Sequence, residues 1–395
     1  MCKWGGDFVR PPNYSRGMRK HLRLVALIVP MVLVASNSYA AVKAGSSCSK
    51  AGIKSVSVGK TYTCVKSGKK LVWDKGEVIS VAKPAVFVDN LTFSNLIENN
   101  SNISYTAWKK TSDVINSTTS KAGKLSIYTG PKTRPYFDDV PLAINQVSKM
   151  FPNKAEAQEI VWIRYVSADQ NWAENKAKEV LSKNDYDQIA FNQGGNLAGS
   201  NCDQGTLNCR GAYEQTGNSG IAVIMQGVEN PPTSDPNRMT TGMLEAHEYF
   251  HSLQRIPIMN KGIPVWPHAW WREGSAEWVQ NAAINFGKYD KYKSFLISDC
   301  SWSCSKLSES EIVDFLELAN DNSLPPQFDQ FLNYALGSHV VEILVAIKGP
   351  DVLIDMYAEM GKGQSFNDSF KNLFGTSWSD AIPVLAKSIY KDLHS

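Results

Sequence analysis

Apolar residues follow three different rhythms along this chain. Residues 24–35 are apolar almost without a break, residues 85–235 mix short apolar runs with turn-rich polar sequence, and beyond Pro236 apolar positions recur at helical spacing almost throughout. Within the middle region the pattern predicts a helix over 142–151, a buried strand over 160–166, a helix over 172–181 and a strand over 220–225. Nearer the N-terminus, "KTYTCVKSGKKLVW" reads as two short strands, 61–65 and 71–73, turned through Ser67 and Gly68. The layout is α+β: a mixed sheet in the N-terminal part, an active-site helix, and a mainly helical C-terminal part, with the junction just ahead of "HEYFH" at 247–251. No internal repeat or low-complexity tract interrupts it.

Two helices of the second half carry most of the information. One is expected over 240–254, with threonines at its start to cap it, Glu245 in the positive first turn and Pro257 just past its end. Met243, Leu244, Phe250 and Leu253 would anchor it. The other is expected over 270–287, apolar on the side that carries Ala276, Val279 and Ala283.

Composition places this pattern in a core-forming globular class, with 43% hydrophobic and 20% charged among 395 residues. The formal charge of +3 comes from the first 40 residues, which hold six Lys/Arg and one Asp and leave 35 basic against 37 acidic residues in the rest. That balance offers no footing for a nucleic-acid partner. Met18-Arg19-Lys20-His21-Leu22-Arg23 is a basic start, residues 24–35 an apolar core and Ser38-Tyr39-Ala40 an A-x-A-like cleavage site. Residues 1–40 therefore read as a signal peptide, with Met18 as an alternative start, and the mature chain as secreted or extracytoplasmic at the cell envelope. An uncleaved anchor is the rival reading. The run is short for a membrane span and Pro30 interrupts it, so no span is expected after signal cleavage.

Loss of the leader removes Cys2 and leaves six cysteines, whose simplest pairing is Cys48–Cys64, Cys202–Cys209 and Cys300–Cys304. A cysteine metal site is the alternative, without C-x-x-C spacing to support it. The three segments expected are thus a leader over 1–40, a small Cys-containing module over 41–78 built as a disulfide-stapled hairpin, and a larger domain over 79–395. The module resembles one found near the N-terminus of exported bacterial proteins. That resemblance implies attachment to the cell envelope or spacing from it; a folded cap on the larger domain is the other reading.

"HEYFHSLQ", residues 247–254, sets His247 and His251 at i and i+4 on one helix face, where two imidazoles can meet one ion at about 2.0–2.1 Å. Glu248 lies one residue round, beside the ion but not on it. A third protein ligand is needed, and "WWREGSAEW" offers Glu273 and Glu277, again at i and i+4. One carboxylate can complete the shell while the other accepts a hydrogen bond from a ligating histidine.

HExxH followed about twenty residues later by W-x-E-G-x-A-E-W resembles the gluzincin metallopeptidases, the clan of thermolysin-like, aminopeptidase and collagenase-like enzymes. The resemblance extends over about residues 215–390, with Tyr334 opening a helix and Phe366, Phe370, Phe374 and Gly375 in an S-F-x-x-x-F-x-x-x-F-G arrangement. It implies a zincin-like fold, a Zn2+ cofactor held by His247, His251 and Glu273, Glu277 as brace for the first histidine, and Glu248 as general base in peptide-bond hydrolysis. A peptide or protein substrate follows, with endopeptidase preferred over aminopeptidase. Tyr334 is the expected donor to the developing oxyanion, with His339 as runner-up. By the same resemblance the strand over 220–225 is expected at the sheet edge that receives an extended substrate.

Departures narrow the match. Gln254 and Pro257 stand where a metzincin needs Gly and His. "QGVEN" at 226–230 is similar to the aminopeptidase G-x-M-E-N loop but lacks its Met, so Glu229 is not assigned amino-terminal recognition. His268 reads as a loop histidine, and the tryptophans over 266–278 as helix packing. A reading from another class remains: a catalytically inactive binding or cell-surface protein on a peptidase-like scaffold.

Overall fold

A computed structural model describes residues 43–57, 60–78, 84–203, 208–229, 236–261, 267–301, 303–318 and 324–394. The leader over 1–40 and Trp266 lie outside the described residues. The chain divides between Pro84 and Ala85 into a small unit and a large one.

The small unit is an antiparallel sheet of β1 (Lys54–Ser57), β2 (Lys60–Ser67), β3 (Lys70–Trp73) and β4 (Glu77–Val78), in which β2 pairs with each of the others. Ser67 faces Lys70 across the hairpin end, and Gly68 turns the chain at φ 60°, where a side chain would be strained. The Cys48–Cys64 disulfide ties the leading loop to β2, beside buried Tyr62. The other two local pairs, Cys202–Cys209 and Cys300–Cys304, are bridged as well, which accords with an oxidising compartment.

The large unit opens with α1 (Ile103–Ser117), β5 (Lys124–Thr129), α2 (Val140–Met150), β6 (Glu159–Tyr165), α3 (Gln170–Val180), α4 (Lys183–Asn192), β7 (Cys202–Asp203), β8 (Asn208–Cys209), β9 (Gly211–Thr216) and β10 (Ile221–Gly227). Helices follow: α5 (Pro236–Thr240), α6 (Met243–Arg255), α7 (Ala269–Ile284), α8 (Tyr289–Cys300), α9 (Glu309–Leu318), α10 (Ala335–Lys348), α11 (Val352–Met360), α12 (Phe366–Phe374) and α13 (Trp378–Leu393). This is the α+β order the apolar pattern predicts.

The main sheet runs β5-β6-β10-β9, parallel from β5 to β10 and antiparallel at β9. Its two inner strands are buried on both faces, which is why they are apolar almost without alternation. Val161, Ile163, Val223 and Met225 pack with Ala173, Ala177 and Ile189 on one side. Ile160, Trp162, Ala222 and Ile224 face the larger core shared with α2, α6 and α7.

One expectation is overturned here. The strand over 220–225 is not at the edge but inside the sheet, between β6 and β9. The edges are β5 and, on the antiparallel side, β9, which arises from polar sequence between Gly194 and Asn218 read as loop. Its one buried residue is Glu214, so no apolar run announces it. α1 was equally silent, because its buried face is built from Ser104, Thr106, Thr111 and Ser112 as much as from Ile103, Ala107 and Ile115. Thr111 donates to the Ala107 carbonyl and Ser112 to that of Phe286, so these hydroxyls enter the interior satisfied.

Residues Gln330–Lys348 are apolar enough to cross a membrane, but 72% of that stretch is buried inside the unit, where α10 packs on α7. Its hydropathy is that of a core helix. In the segment after it, Ser365 caps α12 by accepting from the Asp368 N–H, and Gly375 ends the helix at φ 73°. Phe366, Phe370 and Trp270 gather around Trp378, which accounts for the S-F-x-x-x-F spacing as packing.

Candidate metal centre

α6 begins later than the sequence suggests. Thr240 ends α5, and the start of α6 is Gly242 at φ 89°, with no side-chain cap. The reason is tertiary: a Cβ at Gly242 would meet the Phe137 ring at 2.7 Å. Glu245 stands in the first turn as expected, but inside the protein and not in solvent. It is buried and accepts from Gln226 Nε2 of β10 at 2.9 Å, and burial pushes its carboxyl up to about 7 against the lowering by Gln226 and Arg164. Pro257 falls within a short 3-10 turn, Ile256–Ile258, directly after the helix.

α7 packs along α6 and brings Glu273 to both histidines. Glu273 Oε2 lies 3.4 Å from His251 Nε2 and 3.6 Å from His247 Nε2. Both separations exceed the 2.7–3.2 Å of a good N–H···O hydrogen bond. Two donors about 2.0 Å from one ion at the tetrahedral angle stand about 3.3 Å apart, so both carboxylate–imidazole separations are close to the edge of a tetrahedral shell. The three residues can hold a metal ion. The glycine after Glu273 has its own cause: a Cβ on Gly274 would lie 2.5 Å from the Gly337 carbonyl carbon, and one on Gly337 would lie 2.6 Å from the Trp270 carbonyl oxygen. α7 and α10 therefore touch backbone to backbone beside the triangle.

Around the triangle, charge is held in place. Arg272 Nε donates to Glu273 Oε1 at 3.0 Å, which leaves Oε2 for the histidines. Burial would raise the Glu273 carboxyl, but His251, His247 and Arg272 reverse that and hold it well below the usual carboxylate range. Glu277 Oε2 sits 3.5 Å from His247 Nδ1 and 3.0 Å from Arg238 Nη2. Burial opposes its ionisation too, and Arg238 and His247 together lower it. Arg238 Nη2 also lies 2.9 Å from His247 Nδ1. A guanidinium only donates, so this contact and a proton on Nδ1 exclude each other. On the other histidine, Nδ1 lies 2.8 Å from Gln254 Oε1.

Glu248 is buried on α6, and burial raises its carboxyl to about 7 despite His251. Tyr334, at the start of α10, stacks on His247 with ring centroids 6.0 Å apart and 19° between planes. Glu273, then burial, raises its hydroxyl well above the ordinary value, so the phenol stays protonated. The fold thus brings His247, Glu248, His251, Glu273, Glu277 and Tyr334 together. It does not bring His339, the runner-up donor, which belongs to a separate group with Glu342 and Asp392. His268 sits among aromatic rings, edge-on to Phe366 at 4.5 Å. Arg238, Gln254 and Arg272 were not singled out from sequence as parts of a site, since a lone polar residue on a helix carries no signal of what it faces.

The second group is also metal-capable by composition, but its two carboxylates are already engaged, while His339 Nε2 is buried without a hydrogen-bond partner. Lys293 Nζ lies 3.1 Å from Asp392 Oδ1 and 3.3 Å from Ser104 Oγ. Ser104 Oγ donates to Glu342 Oε2 at 3.0 Å and Tyr292 OH to Oε1 at 2.7 Å, while Trp278 Nε1 donates to Tyr292 OH at 2.8 Å.

Comparisons with protein families, with curated proteins and with solved structures find no match to this chain.

Proposed function

We propose that this chain is an exported zinc metallopeptidase with Glu248 as general base, and the observation that carries the reading is the single Glu273 oxygen shared between two Nε2 atoms. Two imidazoles and one carboxylate suit zinc, with a position left open for water. When bound, zinc would supply Lewis acidity toward a substrate carbonyl and acidify a water for attack. The gluzincin resemblance of HExxH and E-G-x-A-E supports the same reading.

The chain's own groups account for the remaining chemistry. Glu248 removes a proton as water oxygen bonds to the carbonyl carbon, then delivers it to the amine nitrogen as the C–N bond breaks. Tyr334 OH donates to the carbonyl oxygen as negative charge builds there. Glu277, held ionised by Arg238, accepts from His247 Nδ1 once that guanidinium serves Glu277 alone. β9, the free antiparallel edge next to α6, gives an extended peptide backbone a strand to join. Glu229 is buried, as His247 and Glu248 of the site are, and the endopeptidase preference rests on the departure of Gln226–Asn230 from the aminopeptidase loop. The leader over 1–40 would direct export, and the small unit would attach the enzyme at the cell envelope.

The test is metal analysis of the mature chain together with cleavage of a mixed peptide library. One zinc per chain and internal cuts are expected, with Glu248→Gln keeping the metal and losing about 10²–10⁴ in rate. Stoichiometric zinc with no cleavage of any library member would instead make this a peptidase-like binding protein.

A further inference from the structure

The outer nitrogen of His251 is governed by a residue that belongs to the packing between α6 and α7. Gln254 is 2% exposed. Its Nε2 lies 2.9 Å from the Arg272 carbonyl oxygen and 2.8 Å from Ser275 Oγ, both on α7, and its Oε1 lies 2.8 Å from His251 Nδ1. The oxygen and nitrogen of an amide are easily interchanged, but here the surroundings decide. A backbone carbonyl only accepts, so the NH2 must face Arg272. Ser275 has a single hydroxyl proton and is placed to donate it to the Trp271 or Arg272 carbonyl, so toward Gln254 it too accepts. Oε1 therefore faces His251, and an amide oxygen only accepts. The neutral imidazole must then carry its proton on Nδ1, leaving the Nε2 lone pair toward Glu273.

We propose that Gln254 is a positioning residue that holds His251 in its metal-ready tautomer, and that it does so only while α7 is docked on α6. The same docking carries Glu273 into the triangle. Arrival of the third ligand and preparation of the second are thus one event. His247 lacks such a device, because its Nδ1 meets a donor, Arg238, and an acceptor, Glu277, at once. The inference rests on the proposed metal centre, but its first readout needs no metal.

In metal-free protein labelled with 15N-histidine, the neutral His251 ring is expected to show Nδ1–H. Gln254→Met, close to isosteric and unable to accept the bond, should shift the population toward Nε2–H and weaken zinc about ten- to a hundredfold in chelator competition. Gln254→Glu keeps an acceptor opposite Nδ1 and should retain the Nδ1–H tautomer. Ser275→Ala removes one of the two orienting acceptors and should weaken zinc less than Gln254→Met does; it serves as the reporter should Gln254→Met fail to fold. A wild-type His251 protonated on Nε2, or unchanged tautomer and affinity in both the Met and Ala variants, would overturn the proposal. Nδ1–H in a wild type that refuses zinc would count against the proposed function while supporting the hydrogen-bonded arrangement itself.

Discussion

Two clusters in this chain have the residue types of a metal site, His247, His251 and Glu273 in one and His339, Glu342 and Asp392 in the other. They differ in what their oxygens are doing. In the second, both oxygens of Glu342 accept from hydroxyls, and the ammonium of Lys293 occupies the place of a cation beside Asp392. Donors run inward from Lys293 through Ser104 and from Trp278 through Tyr292, all ending on one carboxylate. In the first, Arg272 engages the far oxygen of Glu273 and leaves the near one between two imidazoles. Proximity of ligand-type side chains is therefore a poor criterion by itself. The direction of the surrounding hydrogen bonds separates a carboxylate oxygen left between two imidazoles from a carboxylate whose oxygens both already accept, although His339 Nε2 in the second cluster is buried without a partner.

The sharpest way to break this comparison is to remove ligands from each cluster. His247→Ala or Glu273→Ala should abolish stoichiometric metal, whereas His339→Asn should leave the metal content unchanged; a wild-type protein with two metals per chain would refute the distinction. A smaller effect is expected with pH. Burial raises Glu342 to about 7 against Lys293 and its hydrogen bonds, above the ordinary carboxyl value of 4.5. The folded state then binds this proton more tightly than the unfolded state. Its contribution is complete below about pH 4.5 and is lost as pH rises through about 7, to a limit of about 3 kcal/mol. Urea unfolding at pH 5 and pH 8 should show this decline in the wild type and a shallower one in Glu342→Gln.

The smallest effect is the most informative. Lys293 is 31% exposed, so Lys293→Met is expected to cost about 1–3 kcal/mol, less than the loss of a fully buried partner. If the lysine is what completes the network, then in a Glu273→Ala background, where the first cluster cannot answer, added zinc should raise the melting temperature once Lys293→Met is added and not while Lys293 is kept. Equal responses would show that the ammonium is irrelevant to the contrast.

Legibility from sequence followed the same division. β6 and β10 announce themselves because strands covered on both faces must be apolar, whereas β9 and α1 conceal themselves behind Glu214 and a row of hydroxyls. The histidine pair and the two glutamates of E-G-x-A-E stand out because i, i+4 spacing is a property of the helix itself. Arg238 and Gln254 do not, because their roles depend on which atoms of α6 and α7 meet after folding. The start of α6 was misplaced for a related reason: Thr240 and Thr241 satisfy a local capping rule, but the ring of Phe137, a hundred residues upstream, selects Gly242.

The meeting of Gly274 with Gly337 has a mechanical consequence. Where two helices abut through bare main chain, no rotamer can yield under load, so the joint between α7 and α10 transmits displacement stiffly. Glu273 precedes one side of that joint and Tyr334 lies one turn from the other. A partner that levered either helix would therefore shift the carboxylate and the phenol in step, and the pair would disengage as a unit.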